Sequence, residues 1–366
     1  MADGVLITGF PGFIASRLVE RLVTDEPETR LFLMCEPRFA LTAKARCEAL
    51  EQRLPAMKGM WHIVPGDIRR PDLGVAPGVE AQLREQVSRV WHLAAIYDLA
   101  VPESFAYNVN VDGTIHVLDL CERLPNLARL NYISTCYVAG DRTGRVYEDE
   151  LDKGQAFKNH YESTKCWAEK HVRHRMGHVP TTIYRPSIVV GDSVTGETAK
   201  GDGPYFVMQL LFRLPTWAPM VDIGPSRARV NLVPVDFVID AMALLDREEK
   251  AVGATVALAD PNPFTAHEVL ELFLKLLGKR PSAGTVPLRV ADLITGKRLR
   301  PFVRIPRESF DYFNHEVEFD TTNASRLLAP LRPPCPSLDT YLGTLMTYAR
   351  QHPEIFAAVT PGRKAA

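Results

Sequence analysis

The 366-residue chain has no apolar run near the roughly 20 residues that a membrane-spanning helix needs. No basic leader with an apolar core stands at its start, so neither a signal peptide nor a transmembrane segment is expected. Cysteine is sparse. Cys35, Cys47, Cys121, Cys136, Cys166 and Cys335 form no C-x-x-C pair, and without a secretion signal they read as reduced thiols. Charge of one sign is lacking too. The 43 Lys and Arg residues against 44 Asp and Glu leave a formal charge of −1, so nothing global selects nucleic acid or an anionic membrane as the main partner. Repeats and low-complexity tracts are absent. The remainder, 46% apolar and 24% charged, suits a cytoplasmic globular enzyme.

Strand-like runs alternate with helical spacing through the first half. Val5–Thr8 precedes a segment with Ile14, Leu18, Val19 and Leu22 on one helical face, and Leu31–Met34 precedes a helical stretch over about 42–54. His62–Val64, Val90–Leu93, Leu130–Ile133 and Thr181–Tyr184 supply more strands. Between two of these, Val111, Ile115, Leu118 and Cys121 mark another helix. This alternation predicts an α/β fold with a Rossmann-type, doubly wound parallel sheet. After Gly191 the texture turns to Gly, Pro, Arg and scattered aromatics. A helix at Val235–Leu245 and a strand at Gly253–Leu258 then resume the pattern. The expected division is a dinucleotide-binding domain, 1–190 plus about 231–260, and a smaller interleaved C-terminal substrate lobe, 191–230 plus about 261–366.

The first strand runs into Thr8-Gly9-Phe10-Pro11-Gly12-Phe13-Ile14-Ala15. Glycines at 9 and 12 permit a tight turn and close backbone approach to a pyrophosphate, and Ala15 is small where helix meets sheet. The helix N-terminus adds free N–H groups and partial positive charge. Gly9, Phe10, Gly12, Phe13 and Ile14 are therefore the expected phosphate cradle. Glu36 ends the second strand, where an acidic residue accepts the ribose hydroxyls of NADH. Arg38, two residues on, would instead meet the 2′-phosphate of NADPH.

Tyr161 and Lys165 share a helix face at i,i+4 spacing. A nearby ammonium favours the phenolate, which tunes Tyr161 as proton donor or base at a carbonyl oxygen. Thr135 follows a strand about 25 residues earlier and would supply a second hydrogen bond to that oxygen.

Together with Gly66-Asp67-Ile68, His92-Leu93-Ala94-Ala95, Asn110-Val-Asp-Gly-Thr114 and Arg185-Pro186-Ser187, these motifs resemble the extended short-chain dehydrogenase/reductase superfamily over roughly residues 4–260. The stretches 134–141, 147–151 and 159–165 are similar to its fatty acyl-CoA reductase and thioester reductase branch. The resemblance implies that Asp67 and Ile68 border the adenine and that Ala94 and Ala95 line the cofactor cleft. It puts Pro186, Ile188 and Val189 at the nicotinamide and has Lys165 hold its ribose. That branch usually carries Arg where Glu36 stands, so the resemblance argues for NADPH and the residue for NADH.

The expected reaction is hydride transfer to a fatty acyl thioester or long-chain aldehyde. A bulky ketone, a nucleotide-sugar epimerisation and a non-catalytic cofactor sensor are the alternatives. Tyr97, Cys136, Tyr205 and Trp217 are expected to face the substrate. No metal is expected, since His171, His174 and His178 have no acidic or Cys partner nearby in sequence. The basic run Lys297–Arg300 with Arg304 and Arg307 leaves room for a CoA phosphate or peripheral membrane contact, and the chain for a homodimer.

Overall fold

A computed structural model describes residues 4–97, 101–223, 227–286 and 315–359. The basic run at 297–307 lies outside the described residues.

The chain begins β1 (Gly4–Thr8), α1 (Phe13–Asp25), β2 (Arg30–Cys35), α2 (Ala40–Arg53), β3 (Trp61–Pro65), α3 (Pro77–Gln86) and β4 (Val87–His92). A helical run follows: α4 (Glu103–Tyr107), a π-turn at Asn108–Asp112, and α5 (Gly113–Arg123). Then come β5 (Arg129–Ile133), β6 (Gly144–Val146), α6 (His160–Arg175), β7 (Thr181–Pro186), β8 (Ile188–Val190), α7 (Pro204–Arg213), β9 (Asp222–Ile223), β10 (Leu232–Pro234), α8 (Val235–Asp246) and β11 (Thr255–Leu258).

Seven strands form one sheet in the order β11-β7-β5-β4-β1-β2-β3. Every pairing is parallel. The chain winds one way from β1 to β3 and the other way from β4 to β11. The switch point therefore lies between β1 and β4, and ligands of open parallel sheets bind there, beyond the strands' C-terminal ends. Each residue of β1 and β7 is buried, because helices cover both faces. The pleat divides β1 between two cores. Val5 and Ile7 join Leu18 and Leu22 of α1, Leu50 of α2 and Val238 of α8. Leu6 joins Leu83 of α3, Leu118 of α5 and Val172 of α6 on the other side.

A separate lobe packs α7, α9 (Ala266–Leu276) and a C-terminal helix around Tyr205, Met208, Phe273, Leu342 and Leu345. The capping box of Thr265 and Glu268 starts α9. Beyond β12 (Thr285–Val286) and β13 (Val317–Phe319), α10 (Thr322–Leu328) takes a different course from the lobe with which the sequence groups it. Its Ala324, Leu327 and Leu328 enter the sheet core beside α8, and β13 pairs with β6. Glu148 explains the return. Its buried carboxylate accepts N–H bonds from Ala257 on the sheet-edge strand β11 (2.7 Å), from Ala324 (3.1 Å) and from Asn323 at the helix start. The chain then ends its described course in α11 (Leu338–Gln351) and a final 3₁₀ turn. Among the described residues no helix is long and apolar enough to cross a membrane.

Candidate active site

The turn after β1 is built so that nothing larger than hydrogen fits. Gly9 has φ +87°, and a Cβ there would lie 2.8 Å from the Ala94 backbone nitrogen. A Cβ on Gly12 would lie 2.8 Å from the Gly9 carbonyl oxygen. Gly12 also caps α1 with no side-chain hydrogen bond among the described residues, so the helix N-terminus is open to an anion. Ala15 is buried against the sheet. These features fit a dinucleotide pyrophosphate. The Phe10 side chain sits in the core, whereas Phe13 and Ile14 are half-buried.

At the end of β2, Glu36 is already engaged. Arg38 donates to its Oε1 at 3.0 Å and Arg69 to its Oε2 at 3.4 Å. Arg69 also grips Asp67, Nε to Oδ1 at 2.9 Å and Nη2 to Oδ2 at 2.7 Å. This guanidinium holds the Asp67 carboxyl below its ordinary range. The sequence reading passed over Arg69, although it falls two residues after the Gly66-Asp67 signal. Ile68 is buried, and its carbonyl accepts from His116 Nδ1 at 2.7 Å.

Thr135 and Tyr161 meet beyond the end of β5. Thr135 opens a 3₁₀ turn, its Oγ1 accepting from Tyr137 N at 3.2 Å, while its hydroxyl leans toward the Pro186 carbonyl at 3.4 Å. Asn159 caps α6 by accepting from Glu162 N at 3.0 Å, which puts Tyr161 in the first turn. Burial pushes the Tyr161 phenol up to about 12, and a hydrogen bond with Thr135 opposes that rise. The phenol therefore keeps its proton at neutral pH.

Lys165 takes another direction. Its Nζ donates to the Ile133 carbonyl at 2.6 Å and the Tyr132 hydroxyl at 3.1 Å. Burial lowers this ammonium to about 7, against the pull of Glu169 four residues on. Lys165 is not among the groups that shift the Tyr161 phenol, where burial leads.

The residues expected around the site divide. Tyr97 packs edge-on to the Tyr161 ring, with centroids 5.0 Å apart and an interplanar angle of 89°. The Ala94 N–H donates to Thr8 Oγ1 at 3.1 Å, holding the end of β4 against the glycine turn, with Ala95 next to it. Ile188 and Val189 are half-buried on β8. Three other residues expected to face the substrate lie in different settings. Cys136 is buried, its thiol donating to the Arg185 carbonyl at 3.0 Å and pushed well above its ordinary range by burial. Tyr205 belongs to the lobe core, its hydroxyl accepting from Gly191 N at 2.9 Å. Trp217 is 70% exposed beyond α7.

A family model described as male sterility protein, a NAD-binding domain, matches residues 7–242. The chain belongs to this family. Among its relatives the fatty acyl-CoA reductase wat of Drosophila melanogaster is 25% identical over 273 residues, covering 65% of this chain and 53% of that protein. This member of the male sterility family thus spans about half the length of the curated relatives it matches. In three dimensions it resembles the terminal R domain from the myxalamid PKS-NRPS biosynthetic pathway, with TM-score 0.80, 25% identity and coverage of 96% and 92%. A UDP-glucuronic acid 4-epimerase from Bacillus cereus in complex with NAD shares the fold at TM-score 0.66 and 21% identity, covering 95% and 99%.

Proposed function

We propose that the chain reduces the carbonyl of an acyl thioester, fatty acyl-CoA or a carrier-bound equivalent, with a nicotinamide cofactor as reductant. The observation that carries this reading is the meeting of Thr135 with a protonated Tyr161 beyond the C-terminal end of β5. The fatty acyl-CoA reductase and R-domain relatives supply the substrate class.

The glycine turn would hold the pyrophosphate, and Pro186, Ile188 and Val189 would border the nicotinamide. When bound, the cofactor supplies a hydride to the carbonyl carbon. Thr135 and Tyr161 hold the carbonyl oxygen, and two donors aimed at the developing oxyanion lower the barrier. Tyr161 gives its proton to that oxygen, so the thioester becomes a hemithioacetal. Cleavage of its C–S bond then releases aldehyde and thiol. The reducing direction needs this phenol in its protonated form, and that is the form Tyr161 holds at neutral pH. Tyr97, edge-on to Tyr161, would flank the acyl carbon, and residues 191–223 with α9 would cover the chain.

NADPH is the preferred reductant in this reading. Glu36 is already paired with Arg38 and Arg69, which leaves it a poor acceptor for a ribose diol, while two guanidinium groups suit a 2′-phosphate.

The test follows NADPH and NADH oxidation separately with a long-chain acyl-CoA, the matching aldehyde and a bulky ketone. Acyl-CoA turnover yielding aldehyde or alcohol is expected. Oxidation with aldehyde but none with any thioester would overturn the substrate class.

A further inference from the structure

Lys165 does not rest on Tyr161; it rests on Tyr132. The Tyr132 hydroxyl lies 3.1 Å from the Lys165 Nζ, and the Nζ stands 4.5 Å from the centre of the same ring. One side chain thus offers the ammonium both an oxygen lone pair and a π face. Tyr132 and Lys165 are 0% and 3% exposed, so water does not compete for either contact.

Tyr132 is itself anchored. The Thr114 hydroxyl lies within hydrogen-bonding reach of the phenol and donates to the Asn110 carbonyl at 2.6 Å. Having donated there, Thr114 must accept from His92 Nε2 at 3.0 Å, so His92 Nδ1 accepts from the Thr8 hydroxyl at 2.8 Å. His92 is neutral, its proton affinity lowered to about 3 by burial and by Lys165. This buried series runs from Thr8, beside the glycine turn, to Lys165 below the Thr135–Tyr161 pair.

We propose that Tyr132 is a positioning residue for Lys165, its hydroxyl and ring face together holding the ammonium charged at the end of β5. The inference rests on the proposed reductase reading, in which Lys165 meets the nicotinamide ribose as a cation. The titratable groups facing the ammonium are His92 from β4, Tyr132 from β5 and Glu169 from its own helix. Only Tyr132 among them donates a lone pair to it in the described contacts. Glu169 acts at a distance, already shared among Arg185, Arg173 and Ser134.

Two variants separate the two contacts. Tyr132→Phe keeps the ring and removes the oxygen, whereas Tyr132→Leu removes both. Either change makes the ammonium easier to deprotonate. The alkaline limb of the kcat profile should therefore move toward acid, by about one pH unit for Phe, the shift expected for one lost hydrogen bond to a charge, and further for Leu. Tyr184→Phe is the control. That phenol is equally buried but donates to Asn131 at 2.8 Å, away from Lys165, so it should lose stability without moving the limb.

A second readout needs no turnover. The Lys165 Nζ resonance, in 15N-lysine-labelled protein without cofactor and assigned by its loss in Lys165→Met, should titrate about one unit lower in Tyr132→Phe than in wild type. An unchanged titration, or an equal shift in Tyr184→Phe, overturns the inference. Failure of wild type to turn over any thioester or aldehyde would overturn the proposed function instead, and the resonance would still decide the role of Tyr132.

Discussion

Glu169 gives the sharpest test of how the site is held together. Its carboxylate is fully buried on the inner face of α6. It binds the 3%-exposed Arg185 in two places, Oε1 to Nη2 at 2.6 Å and Oε2 to Nε at 3.1 Å. Arg173 Nε at 2.9 Å and Ser134 Oγ at 2.6 Å complete the shell. Glu169→Gln keeps the shape and deletes the charge, which leaves the Arg185 guanidinium buried beside a neutral amide. Breaking one partner of a buried pair in this way costs about 3–5 kcal/mol. Arg173 adds little, because its side chain is a quarter exposed and solvent screens it.

The pH dependence follows from the direction of the shift. Burial alone would raise the Glu169 carboxyl, but Arg185 leads the groups that bring it below its ordinary value. A carboxyl depressed by folding contributes stability above its unfolded value, about 4.3, and loses that contribution as pH falls through the folded one. The gap between wild type and Glu169→Gln should be full near neutrality and close below about pH 4, as wild type protonates. Urea unfolding followed by circular dichroism at stepped pH measures it. A gap under about 1 kcal/mol at neutral pH, or one that stays constant into acid, would refute the reasoning. Replacing both partners, Glu169→Met with Arg185→Met, should recover much of the loss, because no orphaned charge remains.

Four further outcomes follow. Tyr161→Phe removes the proposed proton donor and should lower kcat by about 10²–10⁴-fold while leaving the cofactor Kd within a few-fold, as read by NADPH fluorescence. Gly9→Ala forces a Cβ to 2.8 Å from the Ala94 nitrogen at a positive φ, so the same titration should show cofactor affinity at least about tenfold weaker. Arg69→Ala should raise the NADPH KM more than the NADH KM, with Glu36→Gln shifting the ratio the other way. Equal effects on both cofactors would remove the 2′-phosphate assignment. Glu148→Ala strands three N–H groups on β11 and at the start of α10, so limited proteolysis should cut faster near residues 315–330. Far-UV circular dichroism of the sheet should change little.

Much of this protein was legible in the chain itself. Continuous apolar runs are what a strand covered on both faces requires, so β1, β2, β5 and β7 could be read locally. The glycine turn was legible because a missing Cβ is a local property, and the Thr135–Tyr161 meeting because strand ends and first helical turns have predictable places. What no local pattern encodes is which distant groups share a buried space. Tertiary packing committed Tyr205 to the lobe core and left Trp217 in solvent, though both read as aromatic candidates for one pocket. It turned Lys165 toward Tyr132 and let desolvation, not a neighbouring cation, set the Tyr161 phenol. It also brought Arg69 to Glu36 and carried α10 back to the sheet through Glu148. Burial and charge pairing act through space, whereas spacing along a chain fixes only neighbours on one element.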